Sequence, residues 1–433
     1  MPSNVSIGNY GSGPQNVATG DGPQNNNNAG GLQINSGSFS GWLVNPFLGQ
    51  GKAETLQVEN QSEYSTSSQG QPRHREDFQV AVICALALEY DAVSLLFDQF
   101  WDEDDEPYGR AQGDTNIYTT GKIGNHNVVL ALLPSIGTAA GAGVAASFRS
   151  SYSGLKTAFL VGVCGGVPST GQDEILLGDV VISKTVVQYS LGRQYPGAFV
   201  AKDTVGDNLG RPSKAIRTLI TSFETERGRR RLRQKAGQYL KDLQRAALEE
   251  GHRHSYQYPG VAEDKLFAAT YVHKHWGLQA YSCSCSEEKD SFCDEAAHAS
   301  CTELGCNEEQ LVPRRRLETK KTMEPGYAQC PEIFIGGVAS GDTVMKSGEH
   351  RDRIAKERNV IAFEMEGAGV WDEVPCIVVK GVCDYADSHK SKMWQPFAAT
   401  TAAAVLKAIL VQYPVTDLPS SHSSSAATGG SSR

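Results

Sequence analysis

Apolar residues are sparse and unpatterned over the first 75 or so positions, then gather abruptly into the run Phe78-Gln79-Val80-Ala81-Val82-Ile83-Cys84-Ala85. The run is apolar at successive positions rather than at every second one, the pattern of a strand covered on both faces. Further runs of this kind occupy residues 127–133, 157–163, 179–182, 332–335, 360–363 and 376–382. Stretches with helical spacing lie between several of them. Val93, Leu96, Phe97 and Phe100 form the first, followed by residues 138–148, 367–372 and a closing stretch over 397–412. Strand and helix in alternation predict an α/β fold, a three-layer sandwich with a mixed, mostly parallel central sheet.

The folded domain is expected over residues 77–414. Inside it, residues from about 205 to 330 lack strong strand signals. They hold the basic run Arg227-Gly228-Arg229-Arg230-Arg231-Leu232-Arg233, a cysteine-rich stretch and the cluster Arg314-Arg315-Arg316, and they read as an insertion. Residues 1–75, rich in Asn, Gly, Gln and Ser, and the Ser/Gly/Ala tail 415–433 bury too little to offset chain entropy and are expected to be disordered. Within the arm, Gly13-Pro14-Gln15-Asn16, Gly22-Pro23-Gln24-Asn25 and Gly31-Leu32-Gln33-Ile34-Asn35 recur every nine residues. Glycine turns with stackable amides suit cross-β self-assembly, and a solvated tail is the other reading.

Composition narrows the function classes. A net charge of −9 argues against a nucleic-acid partner held by general electrostatics, so anion binding would fall to local basic clusters. No run reaches membrane-spanning length, and Met1-Pro2-Ser3-Asn4 lacks the features of an export signal, so a cytoplasmic protein without a membrane partner is expected. Cys84, Cys164, Cys376 and Cys383 lie in strand-like apolar surroundings and read as small buried hydrophobes. No cofactor is expected. Cys283, Cys285, Cys293, Cys301 and Cys306, with His298, offer thiolates for a structural zinc, although their spacing is not that of paired C-x-x-C ribbons. A reduced insertion loop is the alternative, and a disulfide framework is disfavoured without an export signal.

Ligands of open α/β sheets bind beyond the carboxyl ends of the strands, so the loops there are the ones to inspect. The first is Ala85-Leu86-Ala87-Leu88-Glu89, where Glu89 is either a functional carboxylate or a first-turn residue favoured by the helix dipole. The second, Val161-Gly162-Val163-Cys164-Gly165-Gly166, has glycines that let backbone N–H groups approach a small ligand, or simply make a turn. The third, Ser340-Gly341-Asp342-Thr343-Val344-Met345, precedes the strand ending in Phe363-Glu364-Met365-Glu366. An ionised carboxylate there has two acceptor oxygens, enough for both hydroxyls of a ribose. The fourth contains Asp384 at a strand terminus, in surroundings where burial raises a carboxyl pKa, with Asp387 close behind. Capping is the alternative role for each.

Taken together, these loops resemble the nucleoside phosphorylase and nucleosidase superfamily over about residues 78–200 and 330–413. Ala85-Leu86-Ala87-Leu88-Glu89 looks like the first loop of methylthioadenosine/S-adenosylhomocysteine nucleosidases, which implies that Glu89 activates water. Leu133-Pro134-Ser135-Ile136-Gly137 resembles the ribose- and nucleophile-side loop, and Leu177-Gly178-Asp179-Val180-Val181 a structural strand signature. Phe363-Glu364-Met365-Glu366 resembles the ribose segment, with Met365 on the sugar face and Glu366 on the diol. Cys383-Asp384-Tyr385-Ala386-Asp387 resembles the purine loop, with Asp384 serving N7. Gln194-Tyr195-Pro196, Tyr258-Pro259-Gly260-Val261, His273-Lys274-His275 and the stretch Lys380 to Lys390 are similar to fungal nucleoside-phosphorylase-like domains attached to immune receptors, some relatives of which cleave ATP. The arm's repeat likewise resembles amyloid signalling motifs of fungal immune proteins.

The resemblance implies a purine N-ribosyl hydrolase that forms a homo-oligomer. Glu89 and Asp384 are its expected catalytic pair, Asp384 neutral through desolvation. Ser135, Gly137, Gly165, Gly166, Arg193, Asp342, Val344, Met345, Met365 and Glu366 are its expected substrate-binding set. A triphosphate substrate would need cations at its 5′ end, for which Arg193 is the first candidate and Lys202, His273, Lys274 and His275 are looser ones. The carboxylate of Glu89 disfavours phosphate as the nucleophile. A phosphate-dependent phosphorylase and a non-catalytic nucleotide-sensing assembly module are the competing readings.

Overall fold

A computed structural model of the chain describes residues 71–101, 108–171, 173–204, 206–276, 285 and 293–414. The repeat arm, the tail from 415 and Cys283 lie outside the described residues.

The strands are β1 (Val80–Cys84), β2 (Gln99–Phe100), β3 (Tyr118–Ile123), β4 (His126–Leu132), β5 (Thr157–Gly166), β6 (Val180–Gln188), β7 (Gly192–Tyr195), β8 (Ala198–Ala201), β9 (Ile333–Ser340), β10 (Val360–Glu364) and β11 (Cys376–Asp384). The helices are α1 (Ala87–Ser94), α2 (Thr138–Ser151), α3 (Lys214–Glu224), α4 (Glu226–Glu249), α5 (Asp294–His298), α6 (Cys301–Leu304), α7 (Arg315–Lys321), α8 (Pro325–Ala328), α9 (Gly348–Arg358), α10 (Gly367–Glu373) and α11 (Gln395–Leu410). Nine strands form one sheet in the order β10-β9-β6-β11-β5-β1-β4-β3-β2, while β7 and β8 form a separate hairpin. The central pairs β11–β5, β5–β1 and β1–β4 are parallel, whereas β11–β6, β3–β4 and β2–β3 are antiparallel. This is the mixed, mostly parallel sheet that the apolar runs predict.

The continuous apolar runs are explained by cover on both faces. Val80, Val82 and Cys84 of β1 join a core with residues of α4 and α11, whereas Ala81 and Ile83 join one with Val144 and Phe148 of α2 and Val370 of α10. Alternate residues of one strand thus serve two helical layers. No described helix is long and apolar enough to cross a membrane.

One expectation changes. The stretch Val93 to Phe100 is not one helix, because α1 stops at Ser94 and Gln99–Phe100 pairs with Lys122 and Gly121 of β3. Edge pairing, with Phe97 stacked on Phe100 at 4.9 Å, replaces the helical turn there. Residues 214–249, within the expected insertion, pack into the core. Ile216, Leu219, Ile220 and Phe223 of α3, with Leu232, Ala236, Leu240 and Leu243 of α4, recur at helical spacing and are buried in the central cluster. The arginines of the run 227–233 point outward, and Ser213 and Thr225 cap the two helices through their hydroxyls.

The second basic cluster is structural. Arg314 is buried, with Nη1 2.7 Å from Asp264 Oδ1 and hydrogen-bonded to the Tyr385 hydroxyl. Arg316 Nη2 donates to Asp179 Oδ1 at 2.7 Å, and Nη1 reaches Oδ2. These bonds fasten the stretch before β9 to the sheet and to the loop after β11. Replacing Arg314 by Met would leave the Asp264 carboxylate buried with only Tyr385 and the Leu177 N–H as partners. Stability should fall by about 3 kcal/mol, measured by denaturant unfolding at neutral pH.

Candidate active site

The strand order puts β5 between β1 and β11, so the loops after β1 and β11 lie two strand spacings apart, about 10 Å, at one end of the sheet. Glu89 enters this end from the first turn of α1 and is buried. Its Oε2 accepts the N–H groups of Ala85 and Leu86, both at 2.9 Å, and its Oε1 accepts that of Val163 in β5 at 2.7 Å. A Cβ at position 162 would lie 2.2 Å from Oε1, so Gly162 is what lets the carboxylate lie against β5. The carboxylate thus caps the start of α1 and reaches across to β5 at the same time. An ionised carboxylate has about four lone-pair directions, and three are used here, leaving one on Oε1. Burial raises the Glu89 pKa against the opposing pull of Lys380 and the backbone donors.

Lys380, at mid-strand in β11, is fully enclosed, and its Nζ lies 3.3 Å from Glu366 Oε2. Burial opposes its charge, but Glu366, Glu89 and Glu364 outweigh burial and raise its pKa. One ammonium thus stands among three buried carboxyl groups. Glu366 also accepts the Gly137 N–H at 3.4 Å, joining the loop after β4 to the same cluster. Glu364 faces inward, where its Oε2 accepts the N–H groups of Glu366 (3.0 Å) and Gly367 (2.8 Å). Burial and then the Glu366 charge push its pKa above the ordinary 4.5. Because folded Glu364 holds its proton more tightly than the unfolded chain does, its contribution to stability is complete below pH 4.5 and is lost as pH rises through its folded value. Glu364→Gln should flatten that decline, as read from melting temperatures over a pH series.

Asp384 ends β11 and packs against β5, where a Cβ at Gly165 would lie 2.9 Å from its Oδ1. Oδ1 accepts the Ala386 N–H at 2.8 Å and lies 2.9 Å from Lys390 Nζ. The carboxylate at this strand terminus thus has a cation and a backbone N–H as partners. Lys390 in turn has a raised pKa, because Asp384, Cys383 and Asp387 outweigh the effect of its burial. The loop between them turns at Ala386, whose φ of 51° is unusual for a residue with a side chain. Arg351 holds it from α9, donating to the Tyr385 carbonyl at 2.7 Å.

The remaining expected site residues divide. Gly137, Gly165, Gly166 and Glu366 are buried at this end of the sheet, and Met365 beside them is half-buried. Met345 is buried with Tyr189, Phe363 and Ala386. Ser135 and Val344 are exposed. Asp342 is exposed and takes both the N–H and the hydroxyl of Thr138, each at 2.7 Å, which ties the loop after β9 to the start of α2. Arg193 lies on the exposed β7–β8 hairpin. Among the looser candidates, Lys202 pairs with Asp207 at 3.6 Å, and Lys274 is buried under Trp276. His273 and His275 are turned toward cysteines. These three residues are enclosed by protein groups rather than arranged as a 5′ anion site. Sequence reasoning missed Lys380 and Lys390. A lone charge inside the apolar run 376–382 is the signal that would have found Lys380.

The chain matches the family model of the phosphorylase superfamily over residues 79–262, a span that extends through α3 and α4. It is similar to a nucleotide-binding leucine-rich repeat (NLR)-like protein of Hyaloscypha variabilis, 31% identical over 342 residues, covering 77% of this chain and 29% of that protein. It is also similar to a death domain-containing ATP nucleosidase of Amphimedon queenslandica, 33% identical over 98 residues, covering 21% of this chain and 18% of that one. The chain spans less than a third of either relative. Similar solved structures include the futalosine hydrolase of Helicobacter pylori, at 16% identity and TM-score 0.43, covering 78% of this chain and 98% of that one. Another is the 5′-methylthioadenosine/S-adenosylhomocysteine nucleosidase of Neisseria meningitidis, at 17% identity and TM-score 0.40, covering 77% and 99%.

Proposed function

We propose that the chain is a purine nucleoside or nucleotide N-ribosyl hydrolase that cleaves the bond between base and ribose. The observation that carries this reading is the cluster Glu89–Lys380–Glu366, enclosed at the end of the sheet where Asp384 terminates the next strand but one from β1. Cleaving this bond requires a proton on the departing purine and a nucleophile aimed at C1′ of an oxocarbenium-like sugar. Glu89, with one lone pair free on Oε1 and a raised pKa, is suited to orient and deprotonate water. Lys380 holds Glu366 in place to take the ribose diol. Asp384 serves the N7 side, and Lys390 beside it holds that carboxylate in position.

Hydrolysis is favoured over phosphorolysis because the nucleophile side presents Glu89, whose charge repels phosphate. ATP is the substrate we put first, since the Amphimedon queenslandica relative bears the name of an ATP nucleosidase. Arg193 is the cation proposed for its phosphates. We also assign the chain a homo-oligomeric state and its repeat arm an assembly role.

The test is chromatography of products after incubation with ATP, adenosine and S-adenosylhomocysteine, each with and without phosphate. Adenine should be released, fastest from ATP, at a rate indifferent to phosphate. Release that requires phosphate would establish a phosphorylase instead. No release from any compound would leave a binding module.

A further inference from the structure

Outside the carboxylate cluster, a group of reactive side chains among the described residues joins the cysteine-rich stretch to the loop that follows Asp384. His273 Nδ1 lies 3.6 Å from Cys301 Sγ and 3.5 Å from Cys306 Sγ. Its other ring nitrogen, Nε2, lies 2.9 Å from the Ala299 carbonyl. That bond keeps the ring proton on Nε2 and turns the Nδ1 lone pair toward the sulfurs, the arrangement by which a backbone carbonyl orients a metal-ligating histidine. The two cysteines are brought to one side by α6, which ends at Gly305 in the left-handed conformation, with the Cys306 N–H bonded to the Cys301 carbonyl at 2.9 Å.

The second histidine points the same way. Both ring nitrogens of His389 are buried, and neither has a hydrogen-bond partner. A buried imidazole left so costs free energy unless something else takes its lone pair. The ring is held in place on three sides, by stacking on Phe267 at 4.2 Å and Tyr271 at 5.5 Å, and by the edge of His273 at 5.2 Å. The donor atoms of His273, Cys306 and His389 all lie within 4.8 Å of one another. Zinc–ligand bonds of about 2.0–2.3 Å in a tetrahedron set ligand atoms about 3.3–3.8 Å apart. The sulfur-to-nitrogen distances at His273 already fall in that range.

We infer that His273, Cys301, Cys306 and His389 bind one tetrahedral divalent ion of the zinc class. The ligand set closes around the ion with no position left for substrate, so its role is structural. It also ties His273, Cys301 and Cys306 to the loop carrying Asp384 and Lys390. His298, expected among the ligands, is exposed and bonded to the Asp294 carbonyl, so it takes no part. A separate trio, His275, Cys285 and Cys293, has its own contacts of 3.2 and 3.8 Å, and variants distinguish it from this site.

The test is the zinc content of the full chain, purified without added metal and measured by plasma mass spectrometry alongside an intact-mass count of free thiols. The double variant Cys301→Ser/Cys306→Ser should hold one zinc equivalent fewer than the wild type, whereas Cys293→Ser should keep this ion. His389→Ala should lose it and His389→Cys should regain it. With cobalt in place of zinc, the thiolate-to-cobalt absorption should disappear in the double variant and intensify in His389→Cys. If the double variant fails to fold, that cobalt comparison between wild type and His389→Cys decides. A wild type without zinc, a Cys301–Cys306 disulfide, equal zinc in wild type and double variant, or a cobalt spectrum unchanged by His389→Cys would each overturn the inference. None of these readouts depends on catalysis. Where the chain also releases adenine, His389→Ala should slow it through the displaced Asp384 loop.

Discussion

Asp384→Asn should slow purine release by about a hundredfold to ten-thousandfold, the usual worth of a positioned proton-transfer group. The amide keeps the size of the side chain and can still accept the Ala386 N–H, so the turn at Ala386 has its main bond. The pair with Lys390 is lost, and an amide cannot pass a proton to N7. The loop's other anchor, Arg351 on the Tyr385 carbonyl, is untouched, so the melting temperature should fall by only a few degrees. Steady-state adenine release and thermal unfolding, measured on the same preparation, separate lost chemistry from lost structure. An Asn variant as fast as the wild type would remove Asp384 from the reaction.

Lys380→Met should both destabilise the protein and silence it. The substitution keeps an unbranched chain in the strand but leaves Glu89, Glu364 and Glu366 at one buried point with no cation. Uncompensated buried charge of this kind costs about 5 kcal/mol, near the top of the range for a broken buried pair. Some of it is recovered when a carboxyl protonates, so the loss should shrink at acid pH. Adding Glu366→Gln removes one of the stranded charges. The double variant should therefore be less destabilised than the sum of the two single ones, and a double-mutant cycle by denaturant unfolding measures that coupling. Strict additivity would mean that Lys380 and Glu366 do not act as a pair.

The sequence makes legible whatever leaves a continuous or periodic trace. The runs around Val80, Phe159 and Val378 become strands covered by two helical layers, because a strand with no polar face has no other stable environment. Glu89, Glu366 and Asp384 can be picked out because each follows such a run. What stays hidden depends on contacts between distant segments. Lys380 is written inside a strand, and only the folded chain reveals the three glutamates around it. Arg314 and Arg316 read only as part of a basic cluster until Asp264 and Asp179, more than 45 residues earlier in the chain, are found beneath them. His273 and His275 read as looser phosphate-side candidates because nothing in the sequence shows which cysteines, 10 to 33 residues on, face them, and His389 lies farther still. Short edge strands such as Gln99–Phe100 carry too few residues to show a period at all.

The central claim is that Glu89 and Asp384 act on one N-glycosidic bond, the first aiming water at C1′ and the second protonating the base. Running the reaction in heavy-oxygen water and weighing the sugar product tests it most directly. One heavy oxygen is expected at C1 of the released sugar, with the same yield with or without phosphate and little product from either Glu89→Gln or Asp384→Asn. Unlabelled ribose 1-phosphate, or labelled sugar formed at full rate by either variant, would contradict it.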